Sequence, residues 1–413
     1  MESWYSSMAP AQRRTFWGCF LGWALDAMDV QIFAFVIPTL ITVWGMTKTQ
    51  AGVIGTSALV FSAVGGVAAG VLSDRIGRVR VLKISILWFS AFTALSALTN
   101  DFHQLLITRS LQGIGFGGEW AAGAVLIGEV VDKKIRGRAV GSVQSGWPVG
   151  YALAAIAYYV LYSFLPETAA WRWLFVLGVL PGFLVLWMRR NIAESSAFEV
   201  TSTFREKNGL FDTFALIFSP KILKLTVLAS MMATGALGGN YTILTWLVTY
   251  LRQTQGLTVS MTSIYLAVNI LGSFCGYIGM AYLSDGLGRR KTFALSAAGA
   301  TLTVIIYTQV HLSMTSLLIL GFPLGLFQSG IVSGMGACFT ELFPAAIRGT
   351  AGGFSYNFGR GIGALVPAAV GLSSTRFGLA PSIGVWAALA YVLVFIVAIF
   401  LPETRNKELD VHV

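Results

Sequence analysis

Twelve largely apolar stretches run through the chain, near 15–40, 51–73, 80–99, 104–130, 139–162, 172–190, 221–251, 258–283, 292–310, 314–340, 350–373 and 381–401. Each holds about 20 residues, enough to cross a hydrocarbon core of roughly 30 Å at about 1.5 Å of helix rise per residue. Backbone groups in lipid must bond within their own segment, so each stretch is predicted to be an α-helix and the chain an all-α membrane protein. Composition points the same way. Hydrophobic residues make up 55% and charged residues 11%, against roughly 25% charged in an ordinary soluble domain. The apolar excess must face lipid, which excludes a water-soluble enzyme. The 46 glycines predict close helix packing.

The net charge of +10 would suit a polyanionic partner, but the positions of the charges argue against one. With the first helix entering from the cytoplasm and sides alternating, 22 of the 28 Lys and Arg fall on the cytoplasmic side. Lys48, Arg109, Arg172, Arg252 and Arg376 fall at or near the outside, and Arg360 lies inside a span. The positive-inside bias predicts a multi-pass protein of the cell (inner) membrane with both termini cytoplasmic. Basicity here encodes topology, and no nucleic-acid partner is expected. Cys19, Cys275 and Cys338 lie in three separate spans, which indicates neither a disulfide framework nor a metal cluster. No cleavable signal is expected, because Met1 to Arg14 is polar and the first apolar run is long and interrupted by acids.

The sequence contains itself twice in parallel orientation. Ser73-Asp74-Arg75-Ile76-Gly77-Arg78 follows span two, and Ser284-Asp285-Gly286-Leu287-Gly288-Arg289 follows span eight. Glu129 precedes Arg136-Gly137 by seven residues, as Glu341 precedes Arg348-Gly349. The copies are offset by 211 or 212 residues. Two six-helix bundles of equal polarity follow, 1–190 and 221–413, joined by a cytoplasmic linker over 191–220 and related by a pseudo-two-fold axis along the membrane normal. Neither half can enclose a polar path alone, so a substrate site is expected between them near the midplane.

These residues resemble the major facilitator superfamily over essentially the whole chain. The segments around Asp74 to Arg78 and Asp285 to Arg289 are similar to its signature loops. Arg109-x-x-x-Gly113-x-Gly115-x-Gly117-Gly118-Glu119, Trp171-Arg172-Trp173, Arg189-Arg190 with Glu194-Ser195, and Pro402-Glu403-Thr404 resemble proton-linked symporters of organic acids and sugars. Asp26-Ala27-Met28-Asp29 is similar to the Asp-Gly-x-Asp motif of aromatic-acid and sialate:proton symporters, with Ala27 where that motif has Gly. The resemblance implies a latch on the cytoplasmic side, made by Asp74, Arg78, Glu129, Arg136, Asp285, Arg289, Glu341 and Arg348. In it the arginines would bind carbonyls or acids of the neighbouring half, with Glu129 and Arg136, and Glu341 and Arg348, fitting the same latch. The alternative is that these are solvated loop charges holding topology.

What one half has and the other lacks is the better guide to cargo chemistry. At the repeat offset, Asp26 and Asp29 land on Gly238 and Tyr241, Arg109 on Gly321 and Glu119 on Ile331, while Arg360 shifts back onto Pro148. Five unrepeated charges at mid-helix would together cost on the order of 15 kcal/mol unless paired or wet. Asp26 and Asp29 stand about 60° apart on one helix face and roughly 4.5 Å along its axis. Two carboxylates that close compete for one proton, as a proton site requires; the plainer reading is that they satisfy backbone or arginine donors. Arg109 lies about one turn from Asp29 in depth. Its expected role is to pair with Asp29 and be released on protonation, which the resemblance to proton-coupled sugar porters also implies. Asp26 would assist. Glu119 either joins this network or packs beside Gly115 and Gly118 with a snorkelled or protonated head.

Arg360 has no acid within two turns on its own helix, and Tyr356 and Asn357 precede it on the same face. A buried guanidinium over hydrogen-bonding side chains is a candidate carboxylate receptor; the alternative is a carbonyl or acid of the other half. Gln144 follows Arg136 by eight as Tyr356 follows Arg348, which places both at equivalent depth, and Gln144 resembles a substrate-binding glutamine of sugar porters. Asn240 and Gln328 are further polar groups within spans. Trp120, Trp147, Tyr241, Trp246 and Phe354 are candidate aromatic walls or ordinary packing. No nucleotide motif, metal cluster or nucleophilic triad stands out, so neither an enzyme nor a cofactor is expected.

The expected function is a proton-coupled symporter importing an organic monocarboxylate, whether aromatic, hydroxy or sialic acid, by alternating access. The alternatives are a proton-coupled sugar or polyol porter and a non-transporting acid-sensing receptor. The expected partners are a small organic anion, protons and the lipid bilayer, with the protein a monomer.

Overall fold

In the computed structural model of the protein, residues 5–6, 8–130, 139, 142–180, 182–183, 187, 216–343 and 348–404 are described. Among them the regular structure is helical throughout. The helices are α1 (Pro10–Trp44), α2 (Lys48–Ile76), α3 (Arg78–Ser96), α4 (Phe102–Val130), α5 (Gly146–Phe164) and α6 (Glu167–Leu177). Then come α7 (Pro220–Thr249), extended by a π-helical turn over Tyr250–Thr254, α8 (Val259–Leu287), α9 (Arg289–Gln309) and α10 (Met314–Leu342). The chain closes with α11 (Arg348–Gly363), α12 (Leu365–Phe377) and α13 (Leu379–Phe400).

The usual distribution of polarity is reversed. Phe164, Leu372 and Phe400 are 82%, 64% and 63% exposed, while Asp26, Asp29, Arg109 and Arg360 are 2% exposed or less. An apolar exterior of that extent is a surface for lipid. Nine described helical segments are long and apolar enough to cross a membrane by length and composition. Three crossings fall outside that count for identifiable reasons. α4 carries Arg109 and other polar groups, α6 is described only to Leu177 as a helix, and the expected span over 350–373 is divided into α11 and α12.

That division has a local cause. Pro367 lacks the N–H that would bond to the carbonyl of Gly363. One residue on, the Thr56 hydroxyl of α2 enters the ladder, donating to the Ala364 carbonyl at 2.7 Å and accepting from the Ala368 N–H at 3.1 Å. Trp246 Nε1 of α7 donates to the Pro367 carbonyl at 3.1 Å. The broken helix therefore keeps its backbone groups satisfied inside the membrane.

The sequence repeat reappears as contacts. A Cβ on Gly113 of α4 would strike the Ala58 carbonyl of α2, and one on Gly325 of α10 would strike the Asn269 carbonyl of α8. Gly65 stands in the same way against Ile114, and Gly276 against Leu326. Each of these residues is matched by its partner at the repeat offset. Lacking side chains there, the backbones of each pair touch, which is how small residues drive association in lipid. The copies meet where α1 packs on α7, α5 on α8, and α2 on α11 and α12. A polar interior lies between them.

Candidate functional site

Two separate charge centres occupy that interior. In the first, the Asp29 carboxylate on α1 meets two side chains of α4. Arg109 Nη1 lies 3.6 Å from Asp29 Oδ2, and Gln112 Nε2 donates a short hydrogen bond to the same oxygen. Arg109 and Gln112 are three residues apart, hence on one face of α4. The Phe33 and Phe175 rings stand 5.3 and 5.8 Å from the Arg109 guanidinium and keep water from it. A narrow cavity opens beside this centre, bordered by Gln31, Phe33, Arg109, Gln112, Phe116 and Tyr241 among others.

The second centre is Arg360 on α11. Its guanidinium lies between the rings of Phe116 on α4 and Tyr356 on its own helix, 5.0 and 4.9 Å away. Nη2 donates to the Tyr356 hydroxyl at 3.4 Å, whereas Nε and Nη1 have no hydrogen-bond acceptor. Asp26 and Tyr241 are within electrostatic reach of it. Asp29 thus meets Arg109, while Asp26 lies within electrostatic reach of Arg360.

The other polar candidates are spread around these centres. Asn357 is buried against Gly66 of α2 and donates to the Gly353 carbonyl at 3.0 Å, leaving its Oδ1 without a donor. Gln144, two residues before α5, faces Gly336 of α10. Gln328 is buried with an unpartnered Oε1, and Asn240 is buried beside Tyr241 on α7. Trp246 anchors the break between α11 and α12, and Phe354 packs with Phe218 and Phe358. Arg136 lies outside the described residues, as do the side chains of Asp74, Arg78, Glu119, Trp120, Glu129, Asp285 and Arg348.

Arg289 and Glu341, both expected in the cytoplasmic latch, bind one another. Arg289 binds Glu341 through Nη2 at 2.8 Å and Nε at 3.1 Å, while its backbone N–H donates to Glu403 at 2.9 Å and Thr404 Oγ1 donates to Glu341 at 2.7 Å. These acids come from its own half of the sequence, not the neighbouring one. The forked guanidinium finds carboxylates on α10 and after α13 because those chain ends converge there.

Sequence reasoning missed three groups. Gln112 was legible from its i+3 spacing to Arg109. At the opposite end of the bundle, Arg252 in the π-turn reaches Glu167 of α6 and the Tyr158 hydroxyl of α5, each at 3.0 Å. Glu167 also accepts from Thr39 of α1 at 3.4 Å, and Thr39 bonds the Tyr162 hydroxyl at 2.9 Å. This tie joins the two halves of the sequence, and no spacing along the chain predicts it. The third is Trp23, whose indole N–H, like that of Trp147, is buried without an acceptor.

A bundle of twelve crossings with an internal repeat and charge held at its midline has the architecture of a secondary transporter. The Major Facilitator Superfamily description matches residues 19–312 and 265–411, and the chain belongs to that family. A probable 4-methylmuconolactone transporter of Cupriavidus pinatubonensis is 42% identical over 99% of this chain and 95% of its own length. A cis,cis-muconate transport protein of Acinetobacter baylyi is 30% identical over 94% of this chain and 93% of its own. Among solved structures, the inward-open xylose transporter from E. coli shares the fold with a TM-score of 0.74, 20% identity, and coverage of 95% of this chain and 97% of that one. The protein is a membrane transporter and not an enzyme.

Proposed function

We propose that the protein imports an organic monocarboxylate together with a proton, by rocking two six-helix halves, 1–190 and 221–413, about the central site. The linker over 191–220 and both termini lie in the cytoplasm, and the membrane is the inner one. The observation that carries this reading is Arg360: a sealed guanidinium with Nε and Nη1 unacceptored and aromatic rings on two sides. Such a group is stabilised by an incoming carboxylate. Relatives named for muconate and 4-methylmuconolactone transport support an organic-acid cargo.

Coupling is divided between the two aspartates. A proton entering from the outer side neutralises Asp29 and loosens Arg109, while the Gln112 amide can serve the carboxylate or, through its own oxygen, the protonated acid. Asp26 competes with the cargo for Arg360, so cargo binds most readily when Asp26 is protonated too. A proton and a carboxylate loaded together add no net charge to the interior, so the halves turn inward with cargo and proton bound. The Glu167 and Arg252 tie then closes the outer end, and the Arg289, Glu341 and Glu403 cluster belongs to the cytoplasmic latch. The test is competition for uptake by a panel of aromatic, hydroxy, sialic and short-chain acids against uncharged sugars. Acids should compete and sugars should not; competition by sugars alone would replace this reading with a sugar porter.

A further inference from the structure

Arg360 is one end of a longer aromatic arrangement. Phe116, which its guanidinium faces, lies at the midpoint of α4, and the Trp147 ring of α5 stands 6.4 Å from the Phe116 ring. Trp147 in turn lies 5.1 Å from Trp23 of α1, the planes tilted by 48°. Trp23 precedes Asp26 by three residues and shares a face of α1 with it, and Trp147 opens α5 just after Gln144. Each indole is 7% exposed, and neither Nε1 has a hydrogen-bond partner.

Two orphaned N–H groups side by side are unusual, since buried donors are nearly always satisfied. Their chemistry also restricts what could satisfy them. Amides such as Gln31 and Gln328 can turn to donate or accept, but an indole nitrogen only donates. We propose that Trp23 and Trp147 form a second polar subsite that receives a hydrogen-bond acceptor on the cargo, a carbonyl, ether or ring oxygen, at the end remote from its carboxylate. This rests on the reading of Arg360 as the carboxylate's partner. Arg360 and Trp147 both border Phe116, so in this proposal the carboxylate and the remote acceptor of one ring-sized acid are received around the same ring. The subsite selects by polarity: a remote acceptor is preferred over a methyl of equal size, because binding the latter leaves both donors unmet.

The test uses 4-acetylbenzoate and 4-isopropylbenzoate, which have similar shape and differ in a carbonyl oxygen against a methyl. Binding to the purified full-length protein should favour the acetyl acid by about threefold to tenfold, the range of one neutral hydrogen bond. Trp147→Phe and Trp23→Phe keep a ring in place; each should reduce that preference while leaving 4-isopropylbenzoate binding within about twofold. Equal binding of the two acids by the unaltered protein overturns the proposal, as does a preference that survives both substitutions. If those equal affinities still fall in Arg360→Gln, the carboxylate reading stands and only the acceptor subsite fails. If neither acid binds while uncharged sugars do, both fail together.

Discussion

Replacing Arg360 by Gln removes a cation within electrostatic reach of Asp26 and leaves the Phe116 and Tyr356 rings near a neutral amide. Contacts between a guanidinium and a carboxylate in a sealed site contribute about 1.5–3 kcal/mol each. At about 1.4 kcal/mol per factor of ten, loss of one such contact weakens acid binding by about tenfold to 150-fold. Asp26 adds to the loss, because an anion entering the mutant site meets an aspartate with no arginine between them. Arg360→Lys keeps the charge but loses the planar group between two rings, and should fall between Gln and the unaltered protein. The assay is equilibrium binding of benzoate and of its uncharged isostere benzamide to purified protein, with a thermal melt to establish folding. The unaltered protein should prefer benzoate, and Arg360→Gln should abolish that preference. A folded Arg360→Gln protein that binds benzoate within twofold of the original would refute the assignment.

Three further outcomes are expected. Gly113→Ala and Gly325→Ala should each lower stability in detergent by about 1–3 kcal/mol, and by similar amounts, because the added methyl meets a carbonyl at equivalent helix crossings; thermal melts would expose a failure of the repeat if one were neutral. Gln112→Leu takes away the hydrogen bond to Asp29 and should slow uptake by about tenfold with cargo affinity unchanged, which binding and flux measured side by side will separate. Arg252→Gln cuts a partly exposed ion pair between the halves. With the native cysteines replaced, a cysteine placed at Leu244 beside the cavity should then react about twofold to fivefold faster with an impermeant thiol reagent. An unchanged rate would show that this pair does not hold the outer end closed.

The spans and their number were legible because the cost of unbonded backbone in lipid acts on every residue of a segment and survives averaging. The division of the eleventh crossing was not. Hydropathy registers Pro367 as one mildly apolar residue, whereas the break depends on its missing N–H and on a hydroxyl from Thr56, more than 300 positions away. The buried charges stood out one by one, yet their partners depend on helix rotation. Asp26 and Asp29 share a face in sequence, yet only Asp29 meets Arg109, which lies on another helix and whose approach no spacing along α1 gives. Glu341 was expected in a latch with Arg348, whose side chain lies outside the described residues, and the contact it does make with Arg289 comes from another helix. Arg252 was legible as a charge near the outside, and only the fold brings Glu167 within 3.0 Å of it.

In the proposed cycle Asp29 carries the proton that drives the cargo. In sealed vesicles reconstituted with Asp29→Asn, cargo uptake driven by an acid exterior should vanish, and added cargo should no longer draw protons inward, while exchange of labelled for unlabelled cargo continues. Accumulation at the original rate under that pH gradient would contradict it.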